Sequence, residues 1–98
     1  MLIHGGQLDI TTASGTASAN TKYLRGLCHH IVVKPTSETT TYDIKIVSPA
    51  GVTIYERLSE VGTLSDLETI PVLGIYTITI SNSTADEAFI IQTICQEN

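Results

Sequence analysis

The residues of this chain best suited to metal binding or nucleophilic chemistry are His4, Cys28, His29, His30 and Cys95. Three of them are consecutive. Neighbouring residues of a strand point to opposite faces, so His29 and His30 are not expected to share an ion. Cys28 and His30 would share a face, but a zinc site needs two more ligands, which only Cys95, His4 or a carboxylate could supply. No metal site is predicted. One histidine is expected to be partly buried and hydrogen-bonded, the other to face solvent or a subunit interface. For nucleophilic chemistry there is no Gly-x-Ser-x-Gly elbow, and Cys28 beside His29 in sequence does not make a dyad in space. The acids Asp66 with Glu68, and Asp86 with Glu87, fall in stretches that read as solvated loops. Hydrolysis by paired acids needs a cleft, and calcium needs alternating oxygen ligands. No catalytic residue, cofactor or enzymatic activity is expected.

The elements that would position any site are strands. From Gly74 to Cys95 the chain reads GIYTITISNSTADEAFIIQTIC. Tyr76, Ile78 and Ile80 alternate with Thr77 and Thr79. Further on, Phe89, Ile91, Thr93 and Cys95 oppose Ala88, Ile90, Gln92 and Ile94, the period of a strand. With turn residues over Asn82–Glu87, this predicts an antiparallel hairpin that must be covered by the rest of the chain. Leu27–Lys34 carries apolar residues on both alternating faces, which predicts a central strand covered on both sides. Thr41–Ser48 and Val52–Arg57 flank Ser48-Pro49-Ala50-Gly51, where Pro suits the second turn position and Gly the last, giving a second hairpin. Met1–Thr12 reads as a first strand bent at Gly5-Gly6, followed by the small-residue stretch Ala13–Asn20. Leu58–Glu68 is the least strand-like region and is expected to cross between sheets. Thr69–Leu73, interrupted by Pro71, is a short strand or extended lead-in.

Composition agrees. There are 15 Thr and 13 Ile among 98 residues, with no Trp and only 15% charged side chains. Ninety-eight residues suffice for one domain and not for two. The fold class expected is all-β: a single-domain, jelly-roll-like antiparallel β-sandwich of seven to eight strands, spanning 1–98, with no substantial helix. Residues 1–20 are either its first strand pair or an extended arm, whose glycines would let it lie flat against another backbone.

The net charge of −5 argues against nucleic acid as a partner, since Lys22, Arg25, Lys34, Lys45 and Arg57 are scattered and make no stripe. No signal peptide is visible, and no run approaches the ~20 apolar residues of a membrane span; a soluble, cytosolic chain is expected. Cys28 and Cys95 could bond only if their strands lie side by side. Without a secretory signal the expectation is two buried thiols.

Over nearly its whole length the chain resembles small accessory virion proteins of tailed bacteriophages. The segments that carry the resemblance are SGTASANTKYLRGLCHHIVVKP, YDIKIVSPAGVTIY and PVLGIYTITISNSTADEAFIIQ. Tyr42–Gly51 and Gly74–Ile80 are also similar to the jelly-roll modules at the C-termini of secreted bacterial proteases. The first resemblance implies a non-enzymatic capsid decoration or cement protein. Its partners would be the major capsid protein or other virion subunits and copies of itself, a trimer being the common form, with assembly in the host cytoplasm and no membrane partner. A place in the neck, tail or fibre stays open, as does a carbohydrate- or protein-binding module using loops at Thr36–Thr40, Leu58–Glu68 and Asn82–Glu87. An exposed row of tyrosines would favour that module. The binding residues expected are Leu2, Ile3, His4 and Leu8 in the N-terminal segment, and Asn82, Thr84 and Asp86 in the polar loop.

Overall fold

In the segment from Ala88 onward the expected alternation is realised: Phe89, Ile91, Thr93 and Cys95 are buried, whereas Ala88, Ile90, Gln92 and Ile94 are exposed. The computed structural model describes residues 2–97, with the side chain of Leu2 outside the described part. The strands are β1 (Leu2–Thr11), β2 (Ala17–Asn20), β3 (Leu24–Pro35), β4 (Thr41–Val47), β5 (Thr53–Val61), β6 (Leu64–Gly74), β7 (Thr77–Ser81) and β8 (Ala88–Glu97). They form two antiparallel four-stranded sheets, β1-β8-β3-β6 and β2-β7-β4-β5. This order is the jelly roll, in which most connections cross from one sheet to the other.

β-Branched side chains fill the space between the sheets. Ile31, Val33 and Ile91 from one sheet meet Ile44, Ile78 and Ile80 from the other, all buried. The rings of Tyr42 and Phe89 cross edge to face with centroids 5.2 Å apart. The Tyr42 hydroxyl donates to the Gly62 carbonyl at 2.7 Å. This buried polar group is thereby satisfied.

Several expectations need correction. Gly74–Cys95 is not a hairpin: β7 pairs with β2 and β4, β8 pairs with β1 and β3, and Asn82–Glu87 carries the chain from sheet to sheet. Turn chemistry between two alternating runs reads the same whether the second strand pairs back or crosses. Leu58–Glu68 is largely strand, with the crossing confined to Gly62-Thr63 between β5 and β6. Pro71 does not interrupt β6, because β6 is an edge strand and the missing N–H falls where no ladder bond is lost. Finally, β3 is central as expected but is covered on one face only. The hairpin of β4 and β5 forms as read, with Gly51 N–H donating to the Ser48 carbonyl at 2.8 Å. Residues 2–20 supply one edge strand to each sheet. The two are joined by the two-residue turn Ser14-Gly15, both at positive φ.

Candidate association surface

The register fixes which side chains line up across each sheet. In β1-β8-β3-β6 two adjacent outward rows read Gly5–Ile94–His30–Leu67 and Ile3–Gln96–Leu27–Pro71. Next along, Leu73 stands opposite Arg25. Leu67 is 77% exposed, Leu73 67% and Ile3 65%, and Leu27, Ile90 and Ile94 are exposed as well. Neither row contains an Asp, Glu, Lys or Arg. Formal charge sits at the ends of the face, with Asp9 and Lys34 flanking Ile90 at one end and Arg25 at the other. There Arg25 is paired with Glu97, whose carboxylate is also 3.9 Å from the His4 ring.

The outward face of the second sheet has the opposite character. Its row Ser18–Thr79–Lys45–Glu56 is entirely polar, and Ser18 and Thr79 hydrogen-bond to each other at 2.8 Å. In the next row the Thr77 hydroxyl donates to Asn20 at 2.9 Å. The polar rows run over β2, β7 and β4, and the exposed aliphatic side chains of this sheet, Leu58 at 62% and Val61 at 60%, stand on its edge strand β5. On the first sheet large aliphatic side chains are exposed on all four strands, where a soluble surface ordinarily scatters them singly.

His30 belongs to the apolar side. Cys28 and Ile31 both face the core, three residues apart rather than two, because β3 bulges at this point against β8. The extra residue sets His30 outward, opposite the exposed Ile94 and Leu67, while Cys28 stays in the core, correcting the expectation that Cys28 and His30 share a face. His30 Nε2 hydrogen-bonds Ser65 Oγ at 2.8 Å. Among the described residues no three His, Cys, Asp or Glu side chains come together to hold a metal.

Beside Ile94 the surface carries a shallow groove of about 440 Å³ over the backbone of Gly5-Gly6, walled by Ile3, Gln7, Gln92 and Ile94. Gly5 is required there. Its φ is +148°, and a Cβ would stand 1.8 Å from the Thr93 carbonyl oxygen. Only glycine accepts both conditions.

The residues singled out from sequence do not converge. Ile3 and His4 lie at one end of β1, where His4 Nε2–H donates to the Arg25 carbonyl at 2.6 Å. Asn82, Thr84 and Asp86 lie beyond the other end of that strand. At the rise of an extended chain, about eight strand residues put the two groups on the order of 27 Å apart. Leu8 is half-buried against the core, and the Leu2 side chain lies outside the described part. The polar loop is engaged within the chain. Asn82 Nδ2 donates to Asp43 at 2.7 Å, and the Thr84 hydroxyl accepts the Thr41 N–H at 3.0 Å. Asp86 accepts the N–H groups of Ser14 and Gly15 at 3.1 and 2.8 Å. Adjacent Glu87 holds Ser37 N–H at 2.6 Å and the Thr40 hydroxyl. The loop clasps the turns around it.

Asp66 and Glu68 are not solvated loop acids. They project from β6 onto Arg57 of β5 at 2.8 and 2.5 Å, and the Arg57 guanidinium lies 4.6 Å over the Tyr55 ring. Tyr55 donates its hydroxyl to Asp66 at 2.8 Å. Charge partners and ring together close this side of the sandwich. Of the aromatic side chains, Tyr42, Tyr55, Tyr76 and Phe89 are buried and Tyr23 is exposed, so no row of tyrosines is presented.

The sequence reading missed Leu27, Leu67, Leu73, Ile90 and Ile94 as surface residues. The signal existed for β3 and β8, whose alternation is apolar on both faces; it pointed to cover that the described residues do not supply.

No family model matches the chain, and no curated protein matches it. Among solved structures, a chain in a structure of infectious bursal disease virus, Gt strain, aligns with 96% of this chain and 32% of its own length, at 7% identity and a TM-score of 0.41. This chain spans about a third of the length of that one.

Proposed function

We propose that this chain is a non-enzymatic structural protein of a tailed-phage virion, decorating or cementing the capsid shell. The observation that carries the reading is the contrast between its two outward faces. A protein that lies on a shell needs one side that excludes water against its neighbours and one that stays wetted. The face of β1, β8, β3 and β6 has the first character, and the rows over β2, β7 and β4 the second, with Leu58 and Val61 exposed along the β5 edge. The sequence resemblance to accessory virion proteins supports the same reading, and the jelly roll is a fold used by viral shell proteins and lectins alike. The partners are the major capsid protein or other virion subunits, together with further copies of the chain, a trimer being the first arrangement to test. Repetition of a modest contact by symmetry supplies the stability. A carbohydrate- or protein-binding module has less support, since Tyr42, Tyr55 and Tyr76 are in the core and Tyr23 alone is exposed.

Two measurements made together test this. The purified protein's mass in solution, by light scattering, is expected to exceed that of a monomer. Co-sedimentation with empty tailed-phage capsids lacking it is expected to saturate at a fixed number of copies per particle. Binding confined to the neck or tail would overturn the capsid position and keep the virion role. A monomer that ignores capsids and binds glycans overturns both.

A further inference from the structure

Cys28 and Cys95 are direct register partners on β3 and β8, the two central strands of their sheet. Both side chains turn into the core, 3% and 0% exposed, and both are free thiols. From this juxtaposition we infer that the pair is an oxidation site, closing to an intrachain disulfide when the chain folds in the presence of a low-molecular-weight disulfide. Residues directly opposite in an antiparallel pair have Cα atoms ~4.5–5.5 Å apart, within the ~4.4–6.8 Å that disulfides span. Closing the bond needs an approach of the Cβ atoms to ~3.5–4.5 Å. β3 departs from regular strand geometry on both sides of Cys28, at Gly26 with φ +96° and at the His29 bulge, so the strand can supply it.

The chemistry closes with glutathione disulfide as oxidant. One cysteine thiolate attacks it, forming a protein–glutathione mixed disulfide and expelling a glutathione thiolate. The second cysteine, deprotonated in turn, attacks the protein sulfur of that bond, makes Cys28–Cys95 and expels the second glutathione. Two electrons pass from the protein to the oxidant, and the two protons end on the two released thiols. Burial raises the pKa of both cysteines, which makes the folded thiols slow to react. The bond therefore forms as the chain folds or opens.

The inference rests on the register and stands whether or not the chain belongs to a virion. If it does, a particle assembled in a reducing cytosol and then released passes from the thiol to the disulfide setting.

The test is refolding of the full chain from guanidinium chloride in a buffer containing reduced and oxidised glutathione in about equal amounts. The intact mass is expected to fall by two hydrogens without a glutathione adduct, and thiol titration to fall from two groups to none. The unfolding midpoint of the product should rise by about 1 M guanidinium chloride and return on treatment with dithiothreitol. The Cys28→Ala/Cys95→Ala double variant should fold with a midpoint indifferent to the buffer, showing that the rise belongs to the bond. Two free thiols after refolding, or only glutathione adducts on one or both cysteines, overturns the inference.

Discussion

Tyr42 shows how a single side chain ties the two sheets together. Its ring meets Phe89 across the core, and its hydroxyl answers the carbonyl of Gly62 at the β5–β6 crossing. Tyr42→Phe keeps the ring contact and strands that carbonyl, so a loss of about 1–2 kcal/mol is expected in denaturant unfolding. The same measurement made against pH reads the buried thiols and phenols. Burial pushes the Cys95 thiol up to about 12 and raises that of Cys28; Tyr42 and Tyr55 are likewise raised, chiefly by burial. A group held above its unfolded pKa contributes stability that is complete below the unfolded value and lost as pH rises toward the folded one. Unfolded cysteine ionises near 9 and folded Cys95 near 12, so stability of the reduced protein should fall from about pH 9 to about pH 12. The double variant Cys28→Ala/Cys95→Ala should show a shallower fall, retaining only the tyrosine part; equal slopes would remove the thiols from the account.

At the scale of elements, what could be read from sequence was the local pattern. Alternation identified β7, β8 and the hairpin of β4 and β5, because a strand's buried face leaves its period in the residues themselves. Partner choice did not, since Asn82–Glu87 has the same turn chemistry for a hairpin or a crossing. β6 was hidden because its inward acids, Asp66 and Glu68, break the apolar pattern, and their partner Arg57 lies on another strand. The loop residues Asn82, Thr84 and Asp86 were legible as polar and not as clasps, because the groups they hold, such as the Ser14 and Gly15 amides, lie far away along the chain. Asp86→Ala removes both acceptors from that turn and should destabilise by about 1–2 kcal/mol, with faster hydrogen exchange at those two amides. Deleting residues 1–20 goes further. It removes an edge strand from each sheet and Ile10 from the core, and it leaves β8 and β7 as unpaired edges. Loss of the cooperative unfolding transition is expected; a folded but dissociated sandwich would return those residues to the role of a detachable arm.

For the whole molecule the decisive property is that large aliphatic side chains are exposed across every strand of one sheet. Sequence hinted at this in the double-sided apolar pattern of Leu27–Lys34 and Ala88–Cys95, and the described residues form two sheets with no third layer over that face. The proposed role therefore makes a demand that separates association from folding. Leu67 and Ile94 lie exposed in one outward row. A lysine at either position meets water in the free protein and stays within about 0.5 kcal/mol of wild-type stability. In an assembly the same lysines would be buried without partners, which costs several kcal/mol per charge. The Leu67→Lys/Ile94→Lys variant is thus expected to unfold at the wild-type midpoint, to sediment as a monomer and to lose capsid binding by at least a hundredfold. Thr79→Lys, at the middle of the polar row on the opposite face, is the matched control and should change neither mass nor binding. If Thr79→Lys dissociates the assembly while the double variant does not, the wetted face is the one that docks, and the assignment of the two sides is reversed.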